Sequence, residues 1–411
     1  MYRIETPTNL RTAIVLPASK SISNRTLILN ALCKYPKPIH NLSVCDDTAV
    51  VIKALNEKTE YIDVGAAGTA MRFLTAYLAG RQGCYTITGT ERMKNRPVKL
   101  LVDALRSVGA QIEYIEKEGF PPLYIKGQTL QGGEITLDGS ISSQYISAIL
   151  MAAPVMTNGL RLHLTGRITS TPYIAMTIQL MRQFGVTVFE EGQTFTTPHQ
   201  PYASVEDFTV EADWSAASYW YEAVALSKDR ETSVSLCGVR ADSIQGDAAI
   251  ANLFDLLGVH TAFSPDGITL TKKQRTTDSP LQFDFTLLPD MAQTVAVTCA
   301  MLHIPFRFTG LHTLKIKETD RLHALKTELQ KLGYLLEIQH DDTLVWNGER
   351  CEAETTPVIA TYKDHRMAMA FAPVASHMEK GIQIADPQVV SKSYPSFWDD
   401  LQKAGFLITD L

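Results

Sequence analysis

Short clusters of cationic, hydroxyl and acidic residues recur along this chain, and their composition suits anions. The first is Leu16–Arg25, L-P-A-S-K-S-I-S-N-R, between an apolar strand (12–16) and an apolar helical pattern at 26–33. Free backbone N–H groups at a helix start, Ser hydroxyls, Lys20 and Arg25 would all donate to a negative ligand. A capped helix with solvated cations is the plainer alternative. R-M-K-N-R-P (Arg92–Pro97) packs three cations into five residues, including Arg96. L-K-I-K-E-T-D-R-L (Leu314–Leu322) spaces Lys317 and Arg321 four apart, on one face if the segment is helical. V-V-S-K-S-Y-P holds Lys392 among small residues. Gly68, Arg72, Ser142, Ser143, Gln144, Asp213, Ser215, Asp290, Asp364, His365 and Arg366 complete the set of polar helix-start residues.

Two series of helices must position these groups. One series is amphipathic and ends in glycine, at Gly109, Gly185, Gly258, Gly333 and Gly405, at intervals of 76, 73, 75 and 72 residues. An earlier copy, D-D-T-A-V-V-I-K-A-L-N-E-K, ends near Lys58 without glycine. The other series is rich in Ala and apolar on nearly every face, the pattern of buried helices. Its members begin at Ser21, Gly68, Ser142, Ser215, Asp290 and Asp364, each at one of the polar clusters. Six such units, with strands between, predict an α/β protein of two similar domains with three units each. The first unit is short by about 20 residues, judged against the ~75-residue repeat of its siblings, and lacks their strand–turn–strand segment.

The last unit ends on a single strand, F-L-I-T-D-L. Its missing partner is expected to be the N-terminal pair 2–5 and 12–16. The domains are therefore read as 19–212, and 1–18 plus 213–411, with crossings near 18–20 and 212. Lys20 would lie at a hinge, and the helix starts of both halves would face a common anion cleft.

Composition narrows the class. Apolar residues make up 45% and charged residues 20%, ordinary for a globular protein. A net charge of −6 argues against general nucleic-acid binding, so any anion site must be local. The six cysteines show no zinc spacing and read as reduced thiols. Residues 1–16 lack a long apolar run, and no other stretch is long enough to span a bilayer. A soluble cytoplasmic protein is expected. Walker-type and nucleophile-elbow motifs are missing.

Taken in order, S-K-S-I-S-N-R, G-T-A-M-R, R-M-K-N-R-P, S-S-Q-Y, S-T-P-Y, L-P-D-M, K-E-T-D-R-L, D-H-R-M-A-M and S-K-S-Y-P closely resemble the 5-enolpyruvylshikimate-3-phosphate synthase family. The resemblance implies an inside-out α/β barrel of β-α-β-α-β-β units, three per domain. It implies transfer of the enolpyruvyl group of phosphoenolpyruvate to shikimate 3-phosphate, in the pathway to chorismate and aromatic amino acids, in an enzyme class targeted by the herbicide glyphosate. No metal or cofactor is implied, no nucleic-acid or membrane partner, and a monomer is expected.

Carried over motif by motif, the first domain would bind shikimate 3-phosphate. Ser21 and Arg25 would hold its carboxylate, and Ser142, Ser143 and Ser170 its phosphate. Gln144 and Tyr173 would border the ring. Arg96, Arg321, Arg366 and Lys392 would surround phosphoenolpyruvate, with the Gly68 backbone and Gln144 close by. Lys20 would touch phosphoenolpyruvate and the reacting oxygen. Asp290 and Lys317 would bracket the attacking 5-hydroxyl, with Asp290 as base, Glu318 as acid, and Lys20 or Lys317 assisting.

Three positions depart from the family pattern: Ala66 for Asn, Phe73 for Pro, and Thr313 where Asn commonly helps bind the shikimate phosphate. These bear on the detail of the pockets rather than on the reaction. Two alternatives are a UDP-sugar enolpyruvyl transferase and a non-catalytic anion-binding relative. The first uses a catalytic Cys and lacks K-E-T-D-R-L; loss of Asp290, Glu318 or Lys20 would have favoured the second.

Overall fold

The computed structural model describes residues 1–57, 59–140, 142–276 and 280–411. Lys58, where the first amphipathic pattern was expected to end, lies outside the described residues. The chain divides into two compact units, Ser19–Val210 and Met1–Ala18 with Glu211–Leu411. Ala212 joins the second unit through its N–H, which donates to Gly238 O at 3.0 Å.

In the 19–210 unit the buried series is α1 (Lys20–Leu32), α3 (Gly68–Ala79) and α5 (Ser143–Ala152). The amphipathic series is α2 (Asp46–Asn56), α4 (Lys99–Ser107) and α6 (Thr171–Gln183). Helix α3 packs against both α1 and α5, and all of its residues but Thr69 are buried. Residues rich in Ala permit this close approach, while Phe73 and Leu74 supply bulk at 0% exposure. Each such side chain contributes about 1.5–3 kcal/mol by burial.

Two four-stranded sheets flank these helices with one design. A parallel pair is extended by an antiparallel hairpin, as in 61–63, 83–88, 123–127 and 111–114. The second sheet is built from 133–138, 160–165, 194–197 and 189–191. Strand Leu160–Thr165 alternates buried and exposed residues, so one face turns inward. The third sheet is only a parallel pair, 39–40 with 208–209, which is the shortened first repeat.

The second unit repeats the plan. Its buried helices are α7 (Trp214–Leu226), α9 (Ala292–Met301) and α11 (His365–Phe371), packed on one another. Its amphipathic helices are α8 (Ile250–Leu256), α10 (Arg321–Lys331) and α12 (Phe397–Lys403). The glycines after α4, α6, α8, α10 and α12 have φ between 78° and 103°, the left-handed stop expected of them.

Helix α1 begins at Lys20, one residue before the Ser21 start read from the sequence, because Ser19 caps it by accepting from Ile22 N–H at 3.4 Å. The Ser–Lys–Asn–Arg cluster fills its first two turns. Two sequence expectations change. Lys317 and Arg321 do not share a helical face. Lys317 ends a 3-10 turn (His312–Ile316), and Arg321 opens α10 behind the cap of Asp320. The N-terminal strands also separate. Strand 2–5 sits between 382–384 and 407–410, antiparallel to both, and completes the last sheet. Strand 11–15 instead pairs parallel with 233–237 in a different sheet.

Ile4 in that first strand is fully buried. Ile4→Ala is expected to cost about 2–5 kcal/mol, read from urea denaturation of the full chain. An unchanged midpoint would show that the N-terminal strand is not integral to the fold.

Candidate active site

The buried helices of each unit begin at polar clusters. In the 19–210 unit, Arg25 lies on the second turn of α1 at 3% exposure. Its Nε donates to Thr177 Oγ1 at 2.7 Å and its Nη1 to Ser21 O at 2.9 Å. Nη2 donates to Ser147 Oγ at 3.3 Å and Tyr173 O at 3.4 Å. The Phe73 ring lies 5.2 Å from the guanidinium carbon and the Tyr173 ring 6.0 Å. Burial depresses the Arg25 pKa to about 10. Among the described residues no carboxylate forms an ion pair with Arg25. A buried cation held by hydroxyls, carbonyls and rings retains capacity for an external anion.

Arg96 has the same character. It is buried and makes no ion pair among the described residues. Its guanidinium lies over Gly68, where an added Cβ would stand 2.6 Å from Nη1. Only glycine allows this approach at the start of α3. Gln144 links two helix starts, its Nε2 donating to Thr69 Oγ1 at 3.2 Å. Ser142 caps α5 by accepting from Gln144 N–H, with Ser143 buried beside it. Ser170 adopts φ 54°, ψ 36° before α6, and its hydroxyl does not cap that helix. A non-glycine residue there costs roughly 1–2 kcal/mol, a strain typical of functional positions. The Thr169 N–H donates to Gly139 O, and its hydroxyl to Ser140 O, which joins the Ser142 and Ser170 loops. Lys20 pairs with Asp47 at 3.2 Å.

The second unit centres on Arg321, which is 1% exposed. Its Nε and Nη2 donate to Asp364 at 2.7 and 3.3 Å, its Nη1 to Asp290 at 2.9 Å, and its Nη2 to Glu318 at 3.0 Å. Three more cations share those acids. Lys392 meets Glu318 at 2.8 Å, Arg366 meets Asp290 at 3.3 Å, and Lys317 lies 3.6 Å from Asp290. Burial alone would raise the Asp290 pKa. Arg366, Lys317 and Arg321 outweigh it and hold the carboxyl well below its usual range. Burial pushes Lys317 down, while the neighbouring acids raise Arg321 despite its burial. Thr313 is buried with no hydrogen-bond partner for its hydroxyl among the described residues.

Of the residues singled out from sequence, Ser21, Arg25, Ser142, Gln144, Ser170, Tyr173, Gly68 and Arg96 fall at helix starts of the first unit or pack beside them. Asp290, Lys317, Glu318, Arg321, Arg366 and Lys392 form one network in the second. Asp47, which holds Lys20, was missed; it sits in an ordinary helix start, D-D-T, with nothing to mark it. Asp364, singled out among the polar helix-start residues, caps its helix by accepting from Arg366 N–H at 2.9 Å, and it also anchors Arg321. Asp247 was missed as well. It accepts a hydrogen bond from Ser215 Oγ, which lies 3.4 Å from Arg366 Nη2.

Comparison with known proteins decides the family. Residues 52–401 match the sequence model described as EPSP synthase (3-phosphoshikimate 1-carboxyvinyltransferase). The chain belongs to the EPSP synthase family. A 3-phosphoshikimate 1-carboxyvinyltransferase of Bacteroides fragilis is 57% identical, covering 98% of each chain. One from a Sulfurovum species is 37% identical, covering 94% of this chain and 95% of the relative. A solved EPSP synthase from Acinetobacter baumannii shares the fold, with TM-score 0.77 at 19% identity over 100% of this chain and 99% of that one. The two-domain inside-out α/β architecture is therefore that of EPSP synthases. The UDP-sugar alternative is not favoured.

Burial raises the Asp247 carboxyl to about 6, against the pull of Arg366 and Ser215. A raised pKa means its contribution to stability is fully present below pH 4 and is lost as pH climbs through about 6. Asp247→Asn should therefore gain roughly 2–3 kcal/mol relative to the parent on going from pH 4 to pH 7.5. Denaturation at both pH values measures it, and an equal difference at the two would refute the assignment.

Proposed function

We propose that this chain transfers the enolpyruvyl group of phosphoenolpyruvate to the 5-hydroxyl of shikimate 3-phosphate, releasing phosphate. The observation that carries the reading is the Asp290–Arg321–Glu318 network, in which a carboxylate kept ionised and a second acid share one buried guanidinium. Family membership and the cations Arg25 and Arg96, which form no ion pair among the described residues, support it.

In this reading the 19–210 unit takes shikimate 3-phosphate. Ser21 and Arg25 hold its carboxylate, Ser142, Ser143 and Ser170 its phosphate, and Gln144 and Tyr173 border the ring. Thr313, whose hydroxyl has no hydrogen-bond partner among the described residues, also contacts this substrate. Arg321, Arg366 and Lys392 take phosphoenolpyruvate, together with Arg96, the Gly68 backbone and Gln144. Lys20 contacts both phosphoenolpyruvate and the reacting oxygen. Two multiply charged anions repel each other, and fixed cations offset that repulsion while holding the reacting atoms together.

Asp290 accepts the hydroxyl proton as oxygen attacks C2, with Lys317 beside it, and Glu318 delivers a proton to C3. The tetrahedral intermediate then loses phosphate by C–O cleavage as C3 returns a proton. A strongly depressed pKa keeps Asp290 ionised but makes it a weak base. Substrate anions that engage Arg366 and Arg321 draw their charge away from Asp290 and raise its basicity when the base is needed. The steps balance without a metal or cofactor. In this reading the enzyme acts as a monomer. Among the described residues no helix is long and apolar enough to cross a membrane, and the reading places the enzyme in the cytoplasm.

Mixing the protein with the two substrates should release inorganic phosphate in step with enolpyruvyl ether. No release from this pair, with a UDP-sugar acceptor turned over instead, would overturn the reading. Asp290→Asn should lower kcat by about 10²–10⁴-fold and change substrate dissociation constants little. Undiminished kcat in that variant would remove Asp290 from the role of base.

A further inference from the structure

The buried helices of the 19–210 unit have a second pole. At their C-terminal ends lies a cavity of about 470 Å³, within the range of small-molecule sites. Helix α1 alone is 13 residues long, about 20 Å at 1.5 Å per residue, so the cavity is separate from the anion-binding helix starts of the same unit. Its floor is apolar, formed by Ala76, Tyr77, Leu130, Ala152 and Met156. One cation, Arg81, stands at its exposed mouth.

The state of Arg81 indicates what fits. Its guanidinium donates to the Tyr77 hydroxyl and stacks over the same ring, 5.6 Å from the centroid. Among the described residues it pairs with no carboxylate. A cation just past α3 also suits that helix's negative end. Its hydrogen bond, however, goes to the tyrosine rather than to a terminal carbonyl, and the Leu78 and Tyr77 carbonyls are met by the Arg81 and Gly80 backbone N–H groups. The cavity therefore offers apolar side chains and one tyrosine ring on its floor, polar groups such as Gln82 and Thr129 in its walls, and a cation with free donors at its rim. We infer that it binds a small arylalkyl carboxylate, with the ring against Tyr77, Ala76 and Ala152 and the carboxylate on Arg81.

The probe is 3-phenylpropionate, titrated by calorimetry against the full chain, with 3-phenylpropanamide as its neutral counterpart. Saturable binding is expected, at least tenfold weaker for the amide and at least tenfold weaker in Arg81→Ala. Val155→Trp, which fills the mouth, should abolish it. Arg25→Ala should leave it intact. Lack of saturable binding, equal affinity of acid and amide, indifference to Arg81→Ala, or loss in Arg25→Ala would each overturn the assignment. Arg81 is exposed, so that variant decides the matter even if Val155→Trp fails to fold.

Discussion

A guanidinium cannot be removed from water without partners, and Arg321 is almost wholly removed. It is tolerable there because Asp364, Asp290 and Glu318 receive its donors. Buried charge of this kind contributes little net stability against an apolar alternative, but breaking it strands the remaining charges. Its effect is geometric. Asp364 caps α11, Asp290 precedes α9 and Glu318 precedes α10, so one side chain fixes three chain segments relative to each other. Arg366, Lys317 and Lys392 are then placed by the acids that Arg321 has already oriented.

The two units meet the same requirement in different ways. In the second, acids and cations alternate, and the site is held by internal ion pairs. In the first, Arg25 and Arg96 are held by hydroxyls, carbonyls, rings and a glycine. The first pattern suits groups that exchange protons; the second suits groups that wait for an anion. Both patterns use the ends of Ala-rich helices, because small side chains let three helices converge and bring their starts close together.

The repeat was readable because its signals are local. Apolar periodicity, a glycine after each amphipathic helix and a polar cluster before each buried one lie within a dozen residues. Most of the network residues were readable for the same reason: K-E-T-D-R-L carries three of them in one run. What escaped depends on long-range pairing. Nothing beside Asp47 or Asp247 in the chain reveals that Lys20 or Ser215 will face it. Asn24 sits at 0% exposure inside α1, a buried helical position that the turn-forming tendency of Asn does not announce. Strand 11–15 was assigned to the wrong sheet because sequence gives a strand's alternation but not its neighbour.

The position of strand 2–5 also orders the assembly of the molecule. A chain leaves the ribosome N-terminus first, so this strand emerges long before 382–384 and 407–410 have been made. In the interval the 19–210 unit has every strand its own sheets require. The other unit has to wait for 382–384 and 407–410, and strand 2–5, made early, is among the last to find its partners.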